Sequence, residues 1–173
     1  MAGAGERGGP GKIGRNNDGC IKLLIPYSFY DLKGENELEY RITAYKDCSP
    51  DDILALYAAV GWTNYTSRPE MLMKSFEHSL CTLAAWKDRH LVGVIRAVGD
   101  GYSTVLIQDL LVHPDFQRQG IGTALLTTLV ERFPNVYQTA LLTDDVPRSR
   151  GFYEANGFAE VSSLGCLAYV RMN

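Results

Sequence analysis

Apolar and polar positions alternate or recur along most of the chain, and the period changes from segment to segment. Leu38 to Lys46 alternates, with Leu38, Tyr40, Ile42 and Ala44 on one side, which predicts a first strand. Ser49-Pro50-Asp51-Asp52 then opens a helix carrying Ile53, Leu56, Tyr57 and Val60 on one face and stopping at Gly61. After a loop at Trp62–Thr66, Ser67 is placed to cap a second helix, with Pro69 and Glu70 in its first turn. Cys81–Lys87 and His90–Val98 read as a hairpin around Asp88-Arg89, and Asp100-Gly101 leads into a strand over Ser103–Val112. A helix follows from about Gln119 to Arg132, ending before Pro134. Val136–Thr143 reads as a strand and Pro147–Asn156 as a short helix. Ala159–Ser162 and Cys166–Arg171 read as the final strands. Early hairpins followed by strand–helix–strand crossovers predict a mixed α/β sheet with helices on both faces.

The junction between the Val105–Val112 run and the next helix carries the chemistry. His113-Pro114-Asp115 ends the strand, and Gly120 and Gly122 open a helix whose apolar face is Ile121, Leu125, Thr128 and Leu129. A strand turning through glycines into a helix aims free N–H groups and a positive dipole end at one point. That arrangement suits a phosphate or diphosphate. The spacing separates the known phosphate loops. No Lys-Ser/Thr pair follows Gly122, as a P-loop needs. Only Gly120-Ile121-Gly122 of a dinucleotide fingerprint is present. What remains is Gln-x-x-Gly-x-Gly, led by Gln117.

With that pattern, Ile107 to Phe133 resembles the cofactor-binding segment of the GNAT acyltransferase superfamily: Arg/Gln-x-x-Gly-x-Gly/Ala after a strand ending in Val-x-Pro. A second block, Gly151-Phe152-Tyr153-Glu154-Ala155-Asn156-Gly157-Phe158, resembles that family's short helix beside the coenzyme. The likeness extends in layout over roughly Leu38 to Asn173. Val60-Gly61-Trp62-Thr63, taken with Val112-His113-Pro114, is also similar to a bacterial and plant-chloroplast subgroup that includes serotonin N-acetyltransferase-like enzymes. The resemblance implies a partly splayed central sheet and acetyl-coenzyme A as co-substrate. The diphosphate would lie on Gln117, Arg118, Gln119, Gly120, Ile121, Gly122 and Thr123. The pantetheine arm would lie in a V-shaped opening against Leu111 and Val112. A splayed strand leaves main-chain groups unpaired, and an amide-bearing arm can pair with them like an added strand.

Transfer to a primary amine poses two proton problems. With a pKa near 10.4, only about one amine in a thousand or fewer is neutral at pH 7, a deficit of roughly 4–5 kcal/mol. The leaving thiolate also needs a weak acid, and a phenol with pKa near 10 serves. The resemblance places Tyr153 at the family's tyrosine near the thioester sulfur. The alternative is a ring packed between helix and sheet. Asp109 interrupts an apolar run, where a carboxylate is costly unless paired or wet. It reads either as the base or as a structural residue, paired with Arg96 of the neighbouring strand or solvated at a sheet bend. His113 is a further base candidate, and equally an exposed strand end. Asp144 and Asp145 are expected to cap the short helix, where the family often has an Asn that this chain lacks.

In such proteins the acceptor meets the first two helices and the loop between them. Here that points to Tyr57, Trp62 and Tyr65, a set suited to an aryl or alkyl amine through cation–π contact. The same rings could instead form a lid on the core. With 173 residues, 46% of them hydrophobic, the chain can bury one sizeable core. A net charge of −3 without a basic block disfavours nucleic acid, and no run is long enough for a membrane span. Met1–Gly19 is rich in glycine and resembles no secretory signal. We expect a flexible tail over 1–19 and a single domain over 20–173. Cys20, Cys48, Cys81 and Cys166 are scattered without metal-ligand spacing, so we expect no metal and a reducing cytoplasm. The expected function is N-acetyl transfer from acetyl-CoA to a small-molecule amine, by direct attack in a ternary complex of a monomer or homodimer. Neither motif block contains a cysteine for a covalent acyl-enzyme. The alternatives are a non-catalytic acyl-CoA sensor or scaffold, and an acetyltransferase acting on proteins or peptides.

Overall fold

A computed structural model describes residues 40–44 and 48–172, and the backbone alone of 13–15 and 21–23. Contacts divide the chain into two units, Met1–Tyr30 and Asp31–Asn173. In the first, β1 (Ile13–Arg15) pairs antiparallel with β2 (Ile21–Leu23). Ile13–Arg15 falls within the stretch expected as a tail. The rest of that stretch lies outside the described residues.

The second unit is built on a five-stranded sheet in the order β3-β4-β5-β6-β7: β3 (Arg41–Ala44), β4 (Cys81–Lys87), β5 (His90–Gly99), β6 (Thr104–Val112) and β7 (Gln138–Leu141). All neighbours are antiparallel except β6 and β7. Asp88, at φ 55, turns the β4–β5 hairpin. One face of the sheet is covered by α4 (Ile121–Glu131), which buries Ile121, Leu125, Leu126 and Leu129. Each such leucine stabilises the fold by about 1.5–3 kcal/mol through burial. Gly93 lets α4 come this close. A Cβ there would stand 3.1 Å from both the Leu111 carbonyl oxygen and Leu125 Cδ1.

The other face is covered by α1 (Pro50–Ala59) and α3 (Pro69–Glu77), which bury Ile53, Leu56, Tyr57, Leu72 and Phe76 against Val94 and Leu111. A capping box starts α1: Ser49 Oγ accepts from the Asp52 amide at 3.2 Å, and the Ser49 amide donates to Asp52 Oδ2 at 3.1 Å. Between these helices the expected loop is a short helix, α2 (Thr63–Thr66). Ser67 closes α2 instead of capping α3, and its hydroxyl donates to the Asn64 carbonyl at 3.2 Å. The first residue outside α3 is Arg68, which offers no side-chain acceptor.

A β-bulge in β6 sets which residues face which core. Arg96 pairs with Asp109, but Ala97 pairs with Ile107, so Gln108 is the extra residue. Before it, Val105 and Ile107 face α4; beyond it, Leu111 faces α1 and α3. One inserted residue reverses a period-two pattern. Asp109 is thereby turned toward the α1 and α3 side.

After α5 (Pro147–Ala155), the expected final strands are not formed. Val161–Leu164 is a 3-10 turn closed by Gly165 at φ 71, and Cys166–Met172 joins no sheet. A strand needs a partner edge, and no described strand pairs with this segment. Every residue from Ala159 to Met172 is exposed.

Candidate active site

β6 and β7 run side by side only from Thr104 opposite Gln138 to Ile107 opposite Leu141. β6 then continues to Val112 on β5 alone, with Leu111 opposite Val94 and Val112 opposite Gly93. From Gln108 to Val112 the side of β6 that faced β7 has no strand partner among the described residues.

At the end of this stretch the chain turns into α4. The His113 amide still donates to the Val92 carbonyl at 2.8 Å, then Pro114–Phe116 makes one 3-10 turn. Arg118 at φ 60 and Gly120 at φ 83 both take left-handed backbone. Alternating handedness of this kind curls successive N–H groups around a concavity. A non-glycine residue held there carries strain of the sort that concentrates at binding sites. The first amide bonded into α4 is that of Ala124, to the Gly120 carbonyl at 2.9 Å. Among the described residues, none of the six amides from Arg118 to Thr123 has a hydrogen-bond acceptor. Six free donors at a positive helix end fit a diphosphate, and the unpaired stretch of β6 fits an amide-bearing arm. The residues present therefore fit coenzyme A.

Side chains brace the loop. Gln117 Nε2 donates to the Val112 carbonyl at 3.0 Å, and Gln119 Nε2 donates to the Asp115 carbonyl at 3.2 Å. Arg148, on α5, donates to Gln117 Oε1 at 2.7 Å. No sequence pattern signals that last bond, because the residues lie 31 positions apart and Arg148 belongs to no motif. Tyr40, whose sequence pattern marks only a strand position, also borders the loop. Its hydroxyl lies 4.0 Å from where a Cβ on Gly120 would stand, and burial raises its pKa.

Tyr153 is half-buried on α5, edge-on to Phe152 at 5.0 Å and to Phe158 at 6.0 Å. Burial pushes its phenol pKa up. A hydrogen bond with Thr143, just beyond β7, pulls it back, and the nearby charge of Asp144 raises it further. The hydroxyl therefore keeps its proton at neutral pH. Asp144 and Asp145 do not cap α5, whose flanking residue is Val146. Asp144 accepts from the Ser149 hydroxyl at 2.6 Å, and Asp145 pairs with Arg150 at 2.7 Å.

Asp109 makes an ion pair with Arg96. Arg96 Nε donates to Asp109 Oδ2 in the core, and Asp109 is 1% exposed. Arg96 also reaches Ser79 Oγ at 3.3 Å and lies over the Phe76 ring. Tyr57 is 0% exposed, so a bound amine cannot touch it in this conformation. Burial pushes its phenol far above the ordinary range, and the charge of Asp109 adds to this. Trp62 and Tyr65 are half-buried and stacked, with ring centroids 5.5 Å apart. Tyr57 supports them from below, its ring 5.9 Å from Trp62 and 5.5 Å from Tyr65. His113 is partly exposed, and its Nδ1 accepts from the Asp115 amide at 3.3 Å.

An unpaired strand stretch beside a free-amide helix mouth defines the coenzyme-dependent acyltransferase class, and comparison with known proteins agrees. The Acetyltransferase (GNAT) family pattern matches residues 40–158, and the chain belongs to this family. It is 32% identical over 145 residues to GCN5-related N-acetyltransferase 1, chloroplastic, of Arabidopsis thaliana, covering 82% of this chain and 71% of that protein. It is 34% identical over 123 residues to serotonin N-acetyltransferase 2, chloroplastic, of Oryza sativa subsp. japonica, covering 67% of this chain and 60% of the relative. Among solved structures, the GNAT family protein SP0256 of Streptococcus pneumoniae superimposes with a TM-score of 0.71 at 40% identity. That match covers 78% of this chain and 98% of the other. The fold also matches PaiA N-acetyltransferase of Thermoplasma acidophilum in complex with coenzyme A, at a TM-score of 0.58 and 17% identity, over 69% of this chain and 89% of that one. No helix among the described residues is long and apolar enough to cross a membrane.

Proposed function

We propose that this protein transfers an acetyl group from acetyl-CoA to the primary amine of a small molecule, by direct attack within a ternary complex. The observation that carries the reading is the row of six unpartnered amides, Arg118 to Thr123, at the end of the unpaired stretch of β6. The amides of Arg118–Thr123 would hold the diphosphate on a loop braced by the Gln117 side chain, and the main chain of Leu111 and Val112 would hold the pantetheine. The bound coenzyme supplies an activated thioester carbonyl. Tyr153 Oη holds a proton at neutral pH for delivery to a leaving thiolate. Asp109 is locked against Arg96 inside the core, so we assign it to positioning β6 rather than to proton removal. The amine gives its proton to water in the opening.

Trp62, at the start of α2, and Tyr65, within it, offer an aromatic wall to an aryl or alkyl amine. The serotonin acetyltransferase named among the relatives favours such an acceptor. Free thiols at Cys81 and Cys166 favour a reducing compartment such as the cytoplasm. The test is thiol release from acetyl-CoA with a panel of arylalkylamines, polyamines and aminoglycosides. Turnover with at least one class is expected. Tight coenzyme binding without turnover on any amine would replace this reading with that of an acyl-CoA sensor. Turnover on peptides alone would replace it with protein acetylation.

A further inference from the structure

We infer, on the basis of the function proposed above, that Arg148 is a positioning residue: through the Gln117 carboxamide it fixes α5, and with it the Tyr153 hydroxyl, against the strand assigned to pantetheine.

The helix that carries Tyr153 has little else to hold it. No side chain of α5 is fully buried, and its Phe152 and Tyr153 are only partly buried where they pack against the core beneath α4. Its other polar side-chain bonds stay with the segments that flank it. Tyr153 bonds with Thr143, Ser149 with Asp144, and Arg150 with Asp145 and Glu160. Among the described residues, Arg148 makes the one side-chain hydrogen bond that carries α5 to the β6–α4 half of the site, 2.7 Å to Gln117 Oε1.

Gln117 passes that tether on. Both ends of its carboxamide are engaged, Oε1 by Arg148 and Nε2 on the Val112 carbonyl at 3.0 Å. Turning the amide over would set donor against donor at one end and acceptor against acceptor at the other, so the pair of bonds has one sense. The same three elements also meet through apolar atoms. A Cβ on Gly122 of α4 would stand 3.6 Å from Phe152 Cζ and 3.7 Å from Val112 Cγ2. Arg148 and Phe152 are four residues apart and share a face of α5. Tyr153 lies about 100° round the axis from Phe152. Apolar contact sets how closely α5 approaches but tolerates roll about its axis. A directional bond one turn away stops that roll, which is the motion that would carry Tyr153 Oη away from a leaving sulfur. A misplacement of about 1 Å can cost about 100-fold in rate.

Arg148 is exposed, so replacing it leaves the core intact. In Arg148→Ala, kcat should fall about tenfold, with coenzyme A affinity by calorimetry within about twofold of the parent and the thermal midpoint unchanged. Tyr153→Phe, expected to cost about 100-fold in the parent chain, should cost about tenfold or less in the Arg148→Ala background, because the phenol is no longer in place. Gln117→Ala should reproduce the loss in kcat, and adding Arg148→Ala to it should cost nothing more. Arg148→Lys keeps a donor for Gln117 Oε1 and should restore part of kcat. Three results would overturn the assignment. One is an unchanged kcat in Arg148→Ala. The second is a loss of coenzyme A affinity of about tenfold or more with kcat intact, which would make Arg148 a phosphate ligand. The third is an equal Tyr153→Phe penalty in both backgrounds. Hydrogen exchange in the free protein reads the tether without turnover. The α5 amides from Arg150 onward should exchange about tenfold faster in Arg148→Ala, and equal rates would also overturn it. A parent chain that binds coenzyme A and acetylates no amine, with the exchange difference present, would remove the proposed function while supporting the tether.

Discussion

Arg96 on β5 and Asp109 on β6 meet as a buried ion pair, and they face one another on the α1 and α3 side only because Gln108 bulges out of register. Removing one partner leaves the other charge uncompensated in the core. We expect Asp109→Ala to cost about 3–5 kcal/mol in urea unfolding, and the double variant Arg96→Met/Asp109→Leu to recover most of it. The pH–rate profile of Asp109→Asn should keep its shape. Loss of its acid limb at intact stability would return Asp109 to the role of base.

Tyr153→Phe keeps the ring contacts with Phe152 and Phe158 and removes only the proton donor. Turnover should fall by about 100-fold or more with little change in thermal midpoint. Because the phenol's pKa is raised, its protonated form persists to higher pH than in a free tyrosine. The alkaline limb of the parent's pH–rate profile should therefore lie above the ordinary phenol value near 10. A limb below that value would remove Tyr153 as the acid.

Gly120 separates fold from binding. The Tyr40 hydroxyl stands 4.0 Å from its Cβ position, an ordinary contact, so Gly120→Ala suffers chiefly left-handed backbone strain of about 1–2 kcal/mol. Gly120→Asp adds a carboxylate where a helix N-terminus tolerates it but a diphosphate does not. Calorimetry should show coenzyme A affinity reduced more than tenfold further in the Asp variant than in the Ala variant.

Trp62→Ala removes the stacked wall while leaving the coenzyme loop alone. KM for an arylalkylamine should rise about tenfold, with coenzyme affinity unchanged in the same titration. An unchanged KM would mean that the aromatic pair is only a cover for Tyr57.

The junction from Val105 to Leu126 could be read directly from the sequence, because its signals are local. An apolar run, a proline break and two glycines determine a strand, a turn and a helix mouth whatever surrounds them. The same holds for the helix start at Ser49-Pro50-Asp51-Asp52. The bracing of Gln117 by Arg148 could not be read, since it joins two elements that no shared pattern links. The Val105–Val112 alternation could not show that one residue would bulge, and that residue decides which core Asp109 enters. Tyr57 looked like a pocket residue because it is aromatic and near a loop, and packing of α1 on the sheet turned it inward. The pattern at Cys166–Arg171 reads as a strand, and the structure forms none there. Whether such a segment becomes one depends on an edge to pair with. Local sequence sets the conformations a segment can adopt, and only tertiary contacts, which bring distant backbone within hydrogen-bond reach, select among them.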